Sequence, residues 1–167
     1  MQERPPASHR CVHPGSPSLR YFLDTEYNGN GGALLSLALV PDEGEELYVR
    51  LKTDEPIVEW VQLHVIPYID MVPHQLACPP LERHEAAQAL EHYLRHDDDV
   101  VIVADWPEDV AQFSNLMITG PGDMIDVRHV TFRLLPLSNF STAENSQVPH
   151  NALHDARALR EHYRSLE

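Results

Sequence analysis

The sequence predicts an α/β protein built on a mixed β-sheet that is flanked by helices. Three strand-like segments joined by short turns occupy the first part of the chain, which is typical of an antiparallel meander. Amphipathic helices then alternate with apolar strands, which is typical of α/β units. The chain has 167 residues, enough for one domain with a hydrophobic core, and we place this domain at residues 19–167.

The three strands of the meander differ in character. Residues 21–27 are aromatic and aliphatic, and a cluster of Gly and Asn follows them. Residues 33–40 form a nearly continuous apolar run that ends at the turn sequence of residues 41–44. In residues 46–52 apolar side chains alternate with polar ones, so one face of this strand is expected to be buried.

Two helices and a strand are predicted next. The first helix is short, runs from Pro56 to Val65 and is ended by Pro67. The second covers residues 81–95, where the apolar residues share one face. Residues 100–104 are entirely apolar, which indicates a buried central strand.

The last part of the chain begins with an amphipathic helix that ends at the glycine-containing residues 120–122. A strand is predicted over residues 125–134, and the polar residues 138–148 are expected to form a mobile loop. The final helix is predicted over residues 150–166. Its apolar stripe consists of Ala152, Ala156, Leu159 and Tyr163.

Charge and composition restrict the functions open to this chain. The formal net charge is −14, so a chain that binds nucleic acid would do so weakly, through metal ions, on short or single-stranded pieces. Its two cysteines form neither a disulfide framework nor a Cys-rich zinc site, and no apolar run could span a membrane. We therefore expect a cytoplasmic protein with a flexible tail at residues 1–18, which are rich in proline.

Asp24 and Glu26 on the first strand are the first candidate site residues. Side chains alternate along a strand, so both carboxylates project to the same side. Two such carboxylates repel each other, and burial in a sheet makes the arrangement costly. A cation site would offset that cost, whereas at the surface the two acids could lie at a strand end without a role.

Further candidates lie at the ends of later elements. Asp105 directly follows the buried strand, and Asp109 opens the next helix, where the helix dipole alone would also favour an acid. Asp155 borders the apolar stripe of the last helix and points towards the sheet. His150 lies at the start of that helix and can lean over a site.

Together these residues resemble the DEDDh group of 3′-5′ exonucleases, which carry four acidic residues and a histidine. Their first motif, Asp-x-Glu on strand one, is matched by residues 24–26, and their third, His-x4-Asp, by residues 150–155. Their second motif is usually Asn-x3-Asp. Residues 105–109 have that spacing with aspartate in place of asparagine, which leaves two candidates for the ligand. The resemblance covers residues 21–163.

Within that group the chain is most similar to a compact actinobacterial 3′-5′ exoribonuclease family related to RNase T. Members share a Tyr-Phe-x-Asp-Thr-Glu strand and a Trp-Val-x-x-His-Val-x-Pro segment, matched here by residues 21–26 and 60–67. The resemblance implies a ribonuclease H-like fold, which the order of strands and helices also matches. It implies two Mg²⁺ ions, with Mn²⁺ as a substitute, and a homodimer. The implied substrate is single-stranded RNA or structured RNA with a 3′ overhang, with single-stranded DNA as an alternative.

The resemblance and the chemistry of phosphodiester hydrolysis assign a role to each candidate. Two metal ions about 4 Å apart activate a water and stabilise the departing oxyanion. The expected metal ligands are Asp24, which bridges the ions, and Glu26, Asp109 and Asp155. His150 is expected to take the proton from the attacking water.

Motif spacing favours Asp109 over Asp105 as the ligand, and Asp105 would then orient the substrate strand or a metal-bound water. Thr25 and Trp106 are further candidates for substrate contact. By residue type alone, however, Trp60 and Trp106 are expected to pack in the protein rather than to stack on bases.

Other residues are predicted to have structural roles. Phe22, Leu23 and Val103 are expected in the core, and five histidines besides His154 are expected at the surface. Those five are His9, His13, His84, His92 and His96. His154 is also predicted to be exposed, because its helical position turns it away from Asp155.

Two alternatives to an exoribonuclease remain. The first is a 3′-5′ DNA exonuclease or a nuclease for short oligonucleotides, because sugar discrimination rests on one contact to the 2′-hydroxyl. The second is a non-catalytic nucleic-acid-binding protein on the same fold. A protein of that class is expected to have lost a carboxylate or the histidine, and this sequence retains all five.

Overall fold

The structure is a computed structural model that describes residues 19–135 and 140–167. The predicted tail, residues 1–18, lies outside the described residues. In chain order the elements are β1 (Arg20–Tyr27), β2 (Leu34–Pro41), β3 (Leu47–Arg50), α1 (Glu59–His64), α2 (Arg83–Leu94), β4 (Asp99–Ala104), α3 (Pro107–Met117), β5 (Ile118–Gly120), β6 (Asp123–Met124), β7 (His129–Leu134), α4 (Thr142–Asn145) and α5 (Ala152–Ser165).

The main sheet has five strands in the order β3-β2-β1-β4-β7. β2 is antiparallel to both β1 and β3, whereas β4 is parallel to both β1 and β7. The predicted mixed sheet, with an antiparallel meander followed by α/β units, is therefore confirmed. The carboxyl ends of the two central parallel strands, β1 and β4, meet at the same edge.

Helices cover both faces of this sheet. Alternate residues of β1 point to opposite faces, so neighbouring residues pack against different helices. Leu23 packs with residues of α2 and α3, and Phe22 packs with residues of α5. Phe22, Leu23 and Val103 are all fully buried, as predicted. Burial of these apolar side chains on both faces is the main force that fixes the sheet between the helices.

The region after α3 differs from the prediction. α3 ends at Met117, and the chain then forms a short hairpin, β5–β6, which the sequence pattern did not indicate. Gly122 lies in its turn with a φ of 80°, a conformation that a residue without a Cβ adopts readily. The strand predicted over residues 125–134 begins only at His129, although Ile125 is already buried in the core.

Two further predictions near the end of the chain were wrong in part. The predicted loop of residues 138–148 contains α4, whose first turn is capped by Ser141, while residues 136–139 lie outside the described residues. The last helix begins at Ala152 rather than at His150, because the Asn151 side chain caps it. Among the described residues, no helix combines the length and the apolar character that crossing a membrane requires.

Candidate metal centre

A cleft of about 710 Å³ opens where the carboxyl ends of β1 and β4 lie side by side. Sites in α/β sheets often form at this position. The predicted site residues that line the cleft are Asp24, Thr25, Glu26, Asp105, Trp106, Asp109, His150 and Asp155. The structure thus brings the predicted metal, catalytic and substrate residues together.

The acidic residues and the histidine form two groups in this cleft. In both groups, one ligand atom of each member lies within 4.8 Å of one atom from every other member. The first group is Asp24, Asp105 and Asp109, and the second is Glu26, His150 and Asp155. Because both groups line one cleft, their arrangement could hold two neighbouring cations.

Asp24 and Glu26 reach the cleft from the same side of β1, and they are only 8% and 9% exposed. Burial raises the pKa of both carboxyls well above the usual range, since the charged form loses its hydration. Neighbouring carboxylates raise both pKa values further. The main neighbour is Asp109 for Asp24 and Asp155 for Glu26. Two buried acids on one strand are therefore costly without a cation.

Asp109 lies in the first turn of α3 but does not cap it. Its Oδ1 accepts hydrogen bonds from the backbone N of Thr25 at 3.1 Å and from the Thr25 hydroxyl at 2.6 Å. Burial raises the pKa of Asp109 to about 7, although the bonds from Thr25 oppose that rise. The neighbouring Glu108 accepts a 2.7 Å bond from the backbone N of Gly31. Asp109 and Glu108 therefore hold the start of α3 against β1 and the turn that follows it.

The two carboxylate oxygens of Asp155 differ in their surroundings. Its Oδ2 accepts a 3.2 Å hydrogen bond from the backbone N of His150. Its Oδ1 is buried and has no hydrogen-bond partner among the described residues. Burial raises the pKa of this carboxyl to about 6. An unsatisfied buried carboxylate oxygen is costly, and coordination of a hard divalent cation would satisfy it.

His150 belongs to the second group and has an unusual backbone conformation. Its φ is 59°, and it is the only described residue other than glycine with a positive φ. Its ring lies 5.2 Å from the Trp60 ring at an angle of 83°. Burial lowers the pKa of His150, and the neighbouring His64 lowers it further. The imidazole is therefore mainly neutral near pH 7, as a proton acceptor must be.

The expectation that Trp60 and Trp106 pack in the protein was wrong. They are 53% and 58% exposed, and both line the cleft. Trp60 is in the first turn of the six-residue helix α1, and Trp106 precedes the first residue of α3. Such short or terminal positions give no helical periodicity from which burial can be predicted.

The expectation that His154 lies at the surface was also wrong. Its side chain is buried, and its Nε2 lies 2.9 Å from the backbone oxygen of Met71. The reason is that the turn after α1 covers this side of α5 in addition to the sheet. His84, His92 and His96 are exposed as predicted, whereas His9 and His13 lie outside the described residues.

Two asparagines near the site have roles that the sequence reasoning missed. The Oδ1 of Asn28 accepts a 2.9 Å bond from the backbone N of Val58, and its Nδ2 donates to the oxygen of Pro56 at 3.0 Å. Asn28 therefore fixes the segment before α1 at the end of β1. Asn151 caps α5, and its position before an apolar helical stripe was a usable signal for that cap.

No Lys or Arg is among the described residues that line the cleft. Its charged groups are the carboxylates, so a phosphate would be repelled until cations neutralise them. The cleft residues thus fit two divalent cations by charge, donor type and the unsatisfied Asp155 oxygen. Comparison with models of known protein families and with curated proteins found no match to this chain.

Proposed function

We propose that the protein is a two-metal-ion 3′-5′ exoribonuclease with a ribonuclease H-like fold, of the DEDDh type that its motifs resemble. The observation that carries this proposal is the convergence of four buried carboxylates, the half-buried Asp105 and a histidine in one cleft, in two groups of cation-ligand size. The strand order β3-β2-β1-β4-β7, antiparallel first and parallel afterwards, is compatible with that fold.

Asp24, Glu26, Asp109 and Asp155 would hold two Mg²⁺ or Mn²⁺ ions. Four carboxylates balance the charge of two divalent ions, which offsets the burial cost and the repulsion that raise the pKa of each acid. When bound, the ions would polarise the phosphodiester and stabilise the charge on the departing oxygen.

His150 would accept the proton of the attacking water. Its lowered pKa favours the neutral imidazole, and its place beside Glu26 and Asp155 supports this role. Both Asp155, through the bond to the His150 backbone, and Trp60, through ring contact, restrict where the imidazole can lie.

The cleft favours a single strand over a duplex. Trp60 and Trp106 expose aromatic surface on which unpaired bases can stack. Because the described part of the chain places no Lys or Arg along the cleft, few phosphates would be contacted apart from the one at the metals. This observation favours short oligonucleotides as the second candidate substrate, and the preference for RNA rests on the resemblance.

The test is digestion of RNA and DNA oligomers of several lengths that carry a 5′ label, with Mg²⁺, Mn²⁺ or EDTA. We expect a ladder that shortens from the 3′ end, requires the metal and is blocked by a 3′-phosphate. Asp24→Asn should abolish it, whereas Asp123→Asn, the same change on the exposed β5–β6 hairpin, should not. Metal-dependent binding without cleavage would instead identify a non-catalytic protein.

A further inference from the structure

We infer that Asn151 is a positioning residue that holds His150 over the site by joining the start of α5 to the turn at Tyr68–Met71. This inference rests on the proposed function, since it concerns the proposed proton acceptor. It assigns a role in the reaction to a side chain that does not touch the reacting atoms.

Asn151 is fully buried, and both ends of its amide form hydrogen bonds. Its Oδ1 accepts from the backbone N of Leu153 at 3.1 Å and of His154 at 3.4 Å, which caps α5. Its Nδ2 donates to the backbone oxygens of Tyr68 at 2.8 Å and Ile69 at 3.4 Å. A helix cap uses only the acceptor, so the two donated bonds have a separate purpose.

That purpose is suggested by the backbone of the preceding residue. His150 has a φ of 59°. A residue with a Cβ adopts this left-handed backbone conformation only where its surroundings hold it there. On one side, the backbone N of His150 donates to Asp155 at 3.2 Å. On the other side, the Asn151 side chain is bound both to Tyr68 and to Leu153 of α5. These bonds hold the peptide that joins His150 to Asn151, so the backbone of His150 cannot relax.

The Asn151 side chain also positions the region of Trp60, whose ring contacts His150. The Tyr68–Met71 turn follows α1, the helix that carries Trp60, and the ring of Trp60 contacts the ring of His150 at 5.2 Å. His154 adds a second bond from α5 to this turn, through the oxygen of Met71. The imidazole and its aromatic neighbour are therefore positioned as one unit.

A purely structural role would make Asn151 a helix cap and nothing more. Asn151→Ser separates the two roles, because serine also caps helices well but cannot donate bonds to Tyr68 and Ile69. Asn151→Thr, which also caps helices, replaces Asn151→Ser if that variant does not fold. Glu82→Ala is the matched control, since it removes one side of the capping box of α2 and an ion pair to Lys52, both away from the cleft.

The experiment measures kcat and KM on an RNA oligomer for these variants, for His150→Ala and for the double variant. We expect Asn151→Ser to lose roughly tenfold to a hundredfold in kcat with little change in KM, as misplacement of a catalytic group does. Added to His150→Ala, it should cause almost no further loss, because both changes act through the imidazole. Glu82→Ala should lower the melting temperature and leave kcat unchanged.

Hydrogen exchange in the metal-free protein supplies a test that needs no activity. Asn151→Ser should speed exchange in the Tyr68–Met71 turn and around His150 together, and Glu82→Ala should not. Wild-type kcat in Asn151→Ser, losses that add to those of His150→Ala, or unchanged exchange would each overturn the inference. An inactive wild-type protein would overturn the proposed function instead, and the exchange result would still decide whether Asn151 joins the two segments.

Discussion

Thr25 donates two hydrogen bonds to one oxygen of Asp109, from its backbone N at 3.1 Å and from its hydroxyl at 2.6 Å. Thr25 lies between Asp24 and Glu26 on β1, so the strand that presents two acids to the cleft also fixes a third. Because Oδ1 of Asp109 accepts both bonds, the carboxylate cannot rotate without losing them. The spacing of three site residues therefore depends on the backbone of one strand.

Asp24→Asn is expected to change how the protein responds to metal. In the wild type, millimolar Mg²⁺ or Mn²⁺ should raise the melting temperature, because the ions offset the burial and the repulsion that raise the pKa of Asp24. The variant should have a higher melting temperature without metal and almost no further rise with it. Thermal denaturation with and without EDTA measures both, with Asp123→Asn as the control. An unchanged metal response in Asp24→Asn would remove Asp24 from the site.

The metal-free protein should become less stable as the pH rises from about 5 to 8. Burial raises the pKa of Asp109 to about 7 and that of Asp155 to about 6, above the value of about 3.9 in the unfolded chain. The folded state therefore binds more protons than the unfolded state in this range, and the free energy of unfolding falls with pH. Melting temperatures in EDTA at several pH values measure the slope.

Asn substitutions provide the control for this slope. Asp109→Asn and Asp155→Asn should each reduce it, and saturating Mg²⁺ should reverse it, because the ion competes with the protons. A metal-free melting temperature that rises from pH 5 to pH 8 would contradict the raised pKa values of these acids.

β1 and α5 show which features of the site could be predicted from the sequence and which could not. The two-residue period of β1 was sufficient to place Asp24 and Glu26 on one side, and the helical period of α5 placed Asp155 towards the sheet. Periodicity describes one element at a time, however. It could not show that the turn after α1 covers His154, because that contact joins residues 83 positions apart.

Trp60 and Trp106 were assigned to packing for a related reason. Large aromatic residues are usually buried, and only the position of the cleft makes these two exposed. The short elements α4 and β5–β6 were missed because a single turn or a pair of two- or three-residue strands has too few residues for a pattern.

His150 variants should separate catalysis from backbone strain. His150→Ala is expected to lose roughly a hundredfold in kcat, the scale for a positioned base, with near wild-type metal affinity. His150→Gly should lose as much activity but be about 1 kcal/mol more stable than His150→Ala, because glycine adopts the φ of 59° without strain. Kinetics, calorimetric metal titration and denaturant unfolding measure these three quantities. A large loss of metal affinity would make His150 a ligand.

Binding of a single-stranded oligomer should depend only weakly on salt. No Lys or Arg is among the described residues lining the cleft, so few counterions would be released on binding. We expect the plot of log Kd against log salt to have a slope equivalent to no more than about two phosphate contacts. Fluorescence anisotropy with Ca²⁺ in place of Mg²⁺, at constant Ca²⁺, measures it. A steep slope would indicate a basic surface elsewhere on the chain that holds the strand.

Asp105 and Asp109 should respond differently to the same substitution. Both belong to the group around Asp24, but Asp109 is buried and fixed by Thr25, whereas Asp105 is only partly buried. Asp109→Asn should abolish activity and weaken the binding of one metal ion, because it removes a charge from a group held in place. Asp105→Asn supplies the residue that is usual in the DEDDh motif, so it should retain substantial activity.

Thr25→Val connects this choice of ligand to the contact on which it depends. It removes the 2.6 Å bond from the hydroxyl while the backbone bond at 3.1 Å remains, so Asp109 is less firmly held. If Asp109 is the ligand, Thr25→Val should weaken metal binding in an otherwise wild-type protein. It should have almost no further effect in Asp109→Asn, because the two residues act together. Calorimetric titration of the four proteins measures this coupling, and retained metal binding in Asp109→Asn together with its loss in Asp105→Asn would make Asp105 the ligand.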